Sequence, residues 1–423
     1  MPVPAVRRSR PIARVAFGPT LGPSASTREP AVSDLRQHLD DLVDRRREDL
    51  VDLSHAIHGD AEVGFEEHTS SRRVADALQA GGFEVTHGVA DLDTAVLATA
   101  GSGELTIGIC AEYDALPGIG HACGHNVIAA AAVGAGLALA QVADELGLTI
   151  KVLGTPAEEG GGGKILMMQR GAFDGLHAAM MVHPAPFEFP TIPCLAVQHF
   201  NVNYTGQSAH ASAFPQMGRN AADALTVAQV GIGLLRQHIS ATDRIHGIVT
   251  DGGDAPNIIP HRTAGQWYVR SASLTELAEL YPRVQACFEA GAIATATEVS
   301  FDEPGPAYSE FEPDDDLLAA WTQEATAIGR VLPPADSLEG GLAGSTDMAN
   351  VSLEIPAIHP MLAIDSGGAV NHQPEFTAAC ITDSADRAIR DGAAGMARTA
   401  LVAATDPDVR ERLLRRAYRA SAT

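Results

Sequence analysis

The chain has 423 residues, which is long for a single hydrophobic core and predicts two or three domains. Its composition, 45% hydrophobic and 19% charged with 41 glycines, is typical of a globular α/β protein and excludes a disordered or fibrous one. The formal net charge of −24 argues against a nucleic-acid or anionic-membrane partner, because either would require a basic surface.

The spacing of the cysteines and the length of the apolar runs indicate in which cellular compartment the protein is expected. The five cysteines are scattered without the spacing of a disulfide framework, which favours a reducing, cytoplasmic environment. No apolar run reaches the ~20 residues of a membrane span. Residues 1–33 contain arginines, prolines and small residues without an apolar signal core, and we expect a flexible tail there rather than a targeting peptide.

Hydrophobic periodicity predicts alternating strands and helices in the first half of the chain. This alternation favours a largely parallel sheet covered by helices on both faces. In chain order the predicted elements are helices over 35–53 and 69–79, a strand over 105–110, a helix over 127–143, a strand over 149–154, a helix over 164–169 and a strand over 178–182.

The pattern changes near Pro193. The run QHFNVNYTG alternates with period two, as a half-exposed antiparallel strand does. We therefore predict a discontinuous catalytic domain, 34–195 and 306–423, interrupted by an inserted α+β domain over 196–305. The elements predicted from here on are a helix over 220–239, strands over 246–250 and 265–270, a helix over 274–290, a strand over 361–364 and a helix over 378–403.

Polar side chains follow three of the predicted strands. Glu112-Tyr113-Asp114 follows the first, Glu158-Glu159 the second, and His183 the third. Because the carboxyl ends of parallel strands meet at one edge of a sheet, we expect these side chains to converge there.

The segment HACGHN contains two strong metal donors, Cys123 and His125, with a glycine between them. A thiolate, an imidazole and carboxylates together suit zinc, manganese or cobalt rather than magnesium or calcium. In isolation the same three residues also fit a buried structural cysteine beside capping histidines.

The adjacent acids Glu158 and Glu159 precede a run of glycines. Neighbouring side chains point in different directions, so one carboxylate can bind metal while the other removes a proton from water and passes it to a leaving amine. An isolated pair of this kind is also typical of a solvated acidic turn. The glycine run lacks the GK[ST] ending of a phosphate-binding loop.

Taken together, the segments AEYDALPGIGHACGHN, GTPAEEGGGGK, MMVHP, GQSAHAS, GGDAPNIIP and GSTDMANVS resemble the zinc-dependent aminoacylase and glutamate-carboxypeptidase family of metallopeptidases. The branch that they resemble includes aminobenzoyl-glutamate hydrolases, indole-acetyl-amino-acid hydrolases and related dipeptidases. The resemblance runs from about residue 50 to 400. It implies a mostly parallel-sheet catalytic domain of the phosphorylase/hydrolase-like type, a smaller lid and dimerisation domain, and two divalent ions per subunit.

The resemblance also implies roles for individual residues. Glu158 is the expected general base, and Asp114 and Asn126 are expected to orient ligands, although Asn126 replaces the aspartate common in the family. His359 is the alternative to His372, which we prefer because it follows a glycine-rich loop after a strand. The implied metal ligands are Cys123, His125, Glu159, His183 and His372.

Within the predicted insert, the resemblance implies that His210 reaches the active site of a second subunit and stabilises the oxyanion. Asn257 and Arg270 are expected to hold the free carboxylate of the substrate. Gly344 and Ser345 are expected to offer it backbone N–H groups. Asn257 also fits a simple turn residue, and Arg270 a surface ion pair.

The sequence therefore predicts a homodimeric, binuclear metal-dependent amidohydrolase that cleaves N-acyl amino acids, aminobenzoyl-glutamate-like conjugates or dipeptides. A non-catalytic metal- or ligand-binding protein of the same fold is the alternative, but it would not need Glu158 beside the ligand Glu159. A thiol oxidoreductase using Cys123 is disfavoured, since no second cysteine lies nearby in sequence.

Overall fold

The computed structural model describes residues 32–334, 337 and 344–420. Within these residues the strands form a six-stranded sheet, a separate four-stranded sheet and a two-stranded pair. The predicted N-terminal tail lies outside the described residues except for Val32 and Ser33, which begin the first helix. Over the described ranges, no helix has the length and apolarity needed to cross a membrane.

Strands and helices alternate along most of the chain. The strands are β1 (Glu84–His87), β2 (Val96–Gly101), β3 (Leu105–Glu112), β4 (Leu148–Thr155), β5 (Ala178–Met180), β6 (His183–Ala185), β7 (Ala196–Thr205), β8 (Arg244–Asp251), β9 (Arg262–Ser271), β10 (Glu298–Asp302), β11 (Ala357–Ile358) and β12 (Met361–Ala363). The helices are α1 (Val32–Asp44), α2 (Arg47–Asp60), α3 (His68–Ala80), α4 (His125–Ala140), α5 (Ala143–Leu146), α6 (Gly163–Gln169), α7 (Ala221–Leu235), α8 (Leu274–Thr295), α9 (Asp315–Ala327), α10 (Met348–Glu354), α11 (Pro374–Ala379), α12 (Asp383–Thr405) and α13 (Pro407–Leu414).

The larger sheet has the strand order β1-β2-β4-β3-β5-β11. Strands β4, β3, β5 and β11 are parallel, whereas β1 and β2 form an antiparallel edge. Every residue of β3 is buried, as expected for a strand covered on both faces. Helices α4 and α12 pack on one face, and α6 and α10 on the other. The predicted mostly parallel, two-sided sheet is confirmed, and the antiparallel edge is an addition to it.

Helix α4 is buried on almost all sides because its sequence, HNVIAAAAVGAGLALA, is apolar all round. Small residues allow its neighbours to approach closely: a Cβ on Gly134 would lie 2.7 Å from Leu50 Cδ1 and 2.9 Å from Ala393 Cβ. The helix begins at the carboxyl edge of the sheet, so its fixed position determines where the residues at its first turn lie.

The smaller sheet is antiparallel throughout, with the order β10-β7-β9-β8. Helices α7 and α8 cover one face and bury a core that includes Phe200, Trp267 and Phe288. The observed α/β architecture with a separate antiparallel layer confirms the predicted fold class. This layer lies inside the range 196–305, and its assignment as a lid and dimerisation domain stays a prediction.

Two predicted helices are interrupted. The helix predicted over 35–53 is split into α1 and α2, and α1 packs mainly against α12 whereas α2 packs mainly against α4. The helix predicted over 378–403 begins later, as α12, after the separate helix α11. The break between them includes Cys380, whose carbonyl oxygen accepts a hydrogen bond from Asn126 Nδ2 at 2.9 Å.

Candidate metal centre

Cys123 and His125 flank the start of α4. Gly124 between them has φ +76°, a left-handed conformation that suits glycine. A Cβ at this position would lie 2.4 Å from Pro184 Cγ, so a larger residue would displace the loop. The glycine lets both donor side chains turn towards His183, whose ring nitrogen lies within 4.8 Å of theirs.

The predicted ligand atoms are spaced as a shared ion requires. Cys123 Sγ lies 3.5 Å from His183 Nε2 and 3.6 Å from His372 Nε2. His372 Nε2 lies 3.5 Å from Glu159 Oε2. Two ligand atoms of one tetrahedral zinc ion are about 3.4–3.6 Å apart, given the usual Zn–N, Zn–O and Zn–S bond lengths.

These side chains form two overlapping groups of potential ligands. Cys123, His125 and His183 make one group, and Cys123, Glu159 and His372 make the other. The structure therefore brings all the predicted ligands together, with the thiol of Cys123 common to both groups.

Two buried ligand atoms of the centre have no hydrogen-bond partner among the described residues. His125 Nε2 and Glu159 Oε1 are both buried and make no hydrogen bond within the described part of the chain. Asp114 fixes the two residues from behind: its Oδ1 lies 2.9 Å from His125 Nδ1, and its Oδ2 accepts a hydrogen bond from the Glu159 backbone N–H at 3.0 Å. Buried polar atoms normally have a hydrogen-bond partner. Two buried atoms that are held in place but lack such a partner are therefore suited to bind a divalent cation.

Glu158 lies beside the centre and is 7% exposed. Burial, with the negative charges of Glu112 and Glu159 adding to it, raises the pKa of Glu158 well above its usual range. The Tyr308 hydroxyl donates to the Glu158 backbone carbonyl at 2.6 Å and accepts from the Gly162 N–H at 2.9 Å. Tyr308, which was not predicted, thus joins the two ends of the loop 158–162.

His372 and His359 occupy different positions. The His359 ring is buried, 5.5 Å from the His183 ring, and belongs to none of the ligand groups found among the described residues. His372 has φ +68°, and its backbone N–H donates to the Ala122 carbonyl at 2.9 Å, which joins its loop to the segment that carries Cys123. This geometry supports His372 as the last ligand.

The amide nitrogen of Asn126 links α4 to two neighbouring segments. Its Nδ2 donates to Ser54 Oγ at 2.8 Å and to the Cys380 carbonyl, so both amide protons are used. These bonds join the start of α4 to α2 and to the end of α11, and the role of Asn126 in orienting a ligand stays a prediction.

Arg270 extends from β9 towards the loop that contains Ser345. Arg270 Nη1 donates to Ser345 Oγ at 2.6 Å. The backbone N–H of Gly344 already donates to the Pro193 carbonyl at 3.1 Å, so it is not free for a substrate. Of the predicted carboxylate-binding residues, Arg270 and Ser345 are therefore brought together.

His210 and Asn257 lie on neighbouring exposed loops of the smaller layer. The Ala211 N–H donates to the Asn257 carbonyl at 3.0 Å, and His210 Nδ1 accepts from the Ala213 N–H at 3.1 Å. Over the described parts of the chain, no hydrogen bond or ion pair joins either side chain to the metal ligands.

A buried lysine adjoins the centre and was missed by sequence reasoning. Lys164 Nζ donates to Glu112 Oε1 at 2.5 Å and to Asp347 Oδ1 at 2.6 Å, and all three side chains are inaccessible to solvent. Glu112, Glu158 and Asp347 form a further group of potential metal ligands. Because the Lys164 ammonium pairs with two of them, this group already has its own cation. The only sequence signal was a lysine directly after the glycine run.

A mostly parallel α/β sheet, whose carboxyl edge gathers a thiol, imidazoles, a carboxylate ligand and a second buried carboxylate, defines a metal-dependent amidohydrolase. The chain belongs to peptidase family M20/M25/M40, whose family model matches residues 108–401. The resemblance seen in the sequence motifs is thereby confirmed.

Individual relatives agree with this assignment. The chain is 36% identical over 381 residues to Xaa-Arg dipeptidase of Mus musculus, covering 87% of this chain and 88% of that protein. It is 32% identical over 322 residues to a p-aminobenzoyl-glutamate hydrolase component of Escherichia coli strain K12, covering 70% and 66% respectively. These names support the predicted class of peptidase and amidohydrolase.

Solved structures share the fold. An aminobenzoyl-glutamate utilization protein from Klebsiella pneumoniae superposes with a TM-score of 0.69 at 20% identity, covering 86% of this chain and 98% of that one. A dinuclear metal-binding peptidase of the M20 family from Bacillus subtilis gives 0.63 at 21% identity, covering 85% and 98%.

Proposed function

We propose that the protein uses two divalent ions to hydrolyse the amide bond that joins an acyl or aminoacyl group to a C-terminal amino acid. The observation that carries this proposal is the pair of ligand groups sharing Cys123, with Glu158 buried beside them. Zinc, manganese or cobalt suits this mixture of sulfur, nitrogen and oxygen donors. The proposed ligands are Cys123, His125, Glu159, His183 and His372.

When bound, ions of this kind lower the pKa of a coordinated water and polarise the scissile carbonyl group. Glu158 accepts the proton from the water and returns it to the departing nitrogen. Burial raises the pKa of Glu158, which suits a carboxylate that must hold this proton between the two transfers. Tyr308 keeps the Glu158 backbone in place through its hydrogen bond to the carbonyl oxygen.

Arg270 is proposed to bind the carboxylate of the leaving amino acid. Its guanidinium is partly buried and is oriented by Ser345, which leaves further N–H groups for a two-point contact. Asn257 is proposed to assist from its exposed loop. Dipeptides that end in arginine are the first substrates to test, since the relative at 36% identity is named as an Xaa-Arg dipeptidase.

A homodimer is proposed to complete the site. Helix α7 exposes Val230 (59%) and Leu234 (71%), and the edge strand β8 exposes Ile248 (60%). Exposed apolar patches and unpaired strand edges are typical of protein interfaces. His210 lies on an exposed loop of the same layer, which suits a residue that serves the active site of the second subunit. The free cysteine thiols support a cytoplasmic location.

Reconstitution tests the proposal. Chelator-treated protein would be reloaded with zinc, manganese or cobalt and assayed for amine release from dipeptides, p-aminobenzoyl-glutamate and N-acetyl amino acids. We expect release from at least one class, and a loss of about 10²–10⁴-fold in kcat for Glu158→Gln with its metal content unchanged. Full metal binding without hydrolysis of any substrate would instead favour a non-catalytic binding role.

A further inference from the structure

Glu112, at the end of β3, presents one carboxylate oxygen to the metal centre without a protein partner. Its Oε1 accepts from Lys164 Nζ at 2.5 Å. Its Oε2 is buried, makes no hydrogen bond to any described residue and lies 3.4 Å from His125 Nε2. His125 Nε2 is buried and lacks a hydrogen-bond partner as well. Glu112 Oε2 and His125 Nε2 therefore face each other, both shielded from solvent and both without a hydrogen-bond partner among the described residues.

The hydrogen bonds of His125 make this contact costly. Asp114 accepts from His125 Nδ1, so a neutral His125 directs the lone pair of Nε2 at the lone pairs of Glu112 Oε2. A proton on Nε2 would replace this repulsion by an ion pair at 3.4 Å, but the pair still does not meet hydrogen-bond geometry, so the N–H would stay without an acceptor among the described residues. A divalent cation that binds both atoms removes the repulsion and satisfies both lone pairs.

The separation of the two atoms also fits a shared ion. Nitrogen and oxygen ligands bind zinc at about 2.0–2.2 Å, so two of them at a tetrahedral angle are about 3.4 Å apart. Glu112 is held at this distance from behind, since Lys164 also donates to Asp347 at 2.6 Å through Nζ and at 2.9 Å through its backbone N–H. The Lys164 ammonium thus fixes one carboxylate oxygen of Glu112 and leaves the other facing His125 Nε2.

We propose that Glu112 is an additional oxygen ligand of the ion bound by His125, and that Lys164 positions its carboxylate. The inference rests on the proposed metal-dependent function. It makes the two ion sites unequal: the ion at His125 gains a carboxylate that the ion at His372 lacks, so the two ions are expected to bind with different affinities.

Cobalt titration of metal-free Glu112→Gln tests the role without any substrate. The amide oxygen of glutamine can still accept a hydrogen bond from Lys164, but an amide is a much weaker metal ligand than a carboxylate. We expect one of the two cobalt ions to bind about 10–100-fold more weakly, with altered d–d absorption, while the other cobalt ion binds with its wild-type affinity. If Glu112→Gln does not fold, Glu112→Asp, which keeps the charge but withdraws the oxygen, should weaken the same ion.

Asp347→Asn is the matched control, because it removes the other carboxylate that pairs with Lys164. We expect it to lower the melting temperature of the metal-free protein as Glu112→Gln does, while binding both cobalt ions as the wild type does. Wild-type cobalt affinities in Glu112→Gln, or an equal loss in both variants, would overturn the proposal. Failure of the wild-type protein to release amine would count against the proposed function and not against this metal titration.

Discussion

At the scale of single residues, neighbouring side chains in the sequence have distinct surroundings. Glu159 Oε2 faces His372, whereas Glu158 lies beside Glu112 and is held through its backbone carbonyl by Tyr308. Both carboxylates still approach His125, since Glu158 Oε2 lies 3.8 Å and Glu159 Oε1 lies 3.9 Å from its Nε2. The proposed division between metal binding and proton transfer therefore rests on their different further neighbours.

The choice of the last ligand can be tested by comparing two histidines. His372→Ala removes the ring nitrogen Nε2, which lies 3.5 Å from Glu159 Oε2 and 3.6 Å from Cys123 Sγ. We therefore expect the variant protein to lose one bound metal ion. His359→Ala should keep both ions and lower stability by about 2 kcal/mol or more, because it opens a cavity in a buried position. Metal analysis by mass spectrometry and thermal unfolding provide the two measurements, and full metal content in His372→Ala would exclude its role.

The five proposed ligands were predictable because each follows a strand end or belongs to a recognisable motif. Lys164 and Asp347 were not, since they are 183 positions apart in sequence and their pairing depends on α6 meeting α10. Glu112 was noticed only as part of a polar cluster. Its role depends on the direction of one oxygen atom, and no sequence pattern specifies that direction.

At the scale of elements, the turn that starts α4 positions the metal donors. We expect Gly124→Ala to weaken metal binding and to lower stability, because it adds a contact of 2.4 Å with Pro184 to the cost of a left-handed backbone, which is roughly 1–2 kcal/mol.

Gly118→Ala is the control for that prediction. Gly118 has φ +81° but open space around its missing Cβ, so its substitution should bring only the backbone cost. Isothermal titration with zinc and thermal melts would separate the two effects. Equal zinc affinity in both variants would show that the Gly124 contact does not position the ligands.

Glu67, which precedes α3, makes stability depend on pH. It is buried, its Oε1 accepts from the Ala157 N–H and its Oε2 from Thr94 Oγ1, and burial raises its pKa from 4.5 to about 7. The folded state therefore holds the proton more tightly than the unfolded state does. The stability contributed by this proton is complete below pH 4.5 and is lost as the pH rises to about 7.

We expect Glu67→Gln to remove this dependence. Between pH 5 and pH 8, the fall in the unfolding free energy of the metal-free wild type should exceed that of the variant by up to about 3 kcal/mol. Urea unfolding at the two pH values measures the difference. Parallel pH profiles for the two proteins would show that Glu67 does not titrate in this range.

Interruptions within elements were the least predictable feature at this scale. The amphipathic pattern over 35–53 continues across the break at Arg45–Arg46, so periodicity alone gives one helix. The bend lets α1 pack mainly against α12 and α2 mainly against α4. The antiparallel strands β1 and β2 were missed for a related reason: they are short, and the pairing of β2 with β4 that joins them to the sheet is a tertiary contact.

At the scale of the whole molecule, the proposed dimer predicts complementation between inactive variants. If His210 serves the second subunit, a mixture of His210→Ala and Glu158→Gln forms heterodimers in which one of the two sites has both groups intact. Random exchange should therefore restore about a quarter of the wild-type activity. Each variant alone is expected to be inactive.

Leu234→Glu provides the control, because a charge on the exposed face of α7 should prevent the two subunits from associating. Light scattering should report a monomer, and the same mixture carrying this substitution should regain nothing. Full activity of a monomeric Leu234→Glu protein would exclude a role for the second subunit.

The alternation of strands and helices was sufficient to predict the mostly parallel sheet. The spacing of hydrophobic residues and the length of each apolar run distinguish β3 and β4 from α4. The antiparallel layer was predictable from the period-two run that became β7. The mutual arrangement of the two layers was not, since it depends on surface contacts such as that between Arg270 and Ser345.

The pairing of β11 with β5 and of β12 with β6 has a consequence for synthesis of the protein. Cys123, His125, Glu159 and His183 leave the ribosome long before His372, with the entire antiparallel layer translated in between. The centre therefore stays incomplete throughout most of translation, and the proposed last ligand is supplied only when the final part of the chain docks. Acquisition of both metal ions is thus expected to be among the last steps of maturation, after the fold has closed.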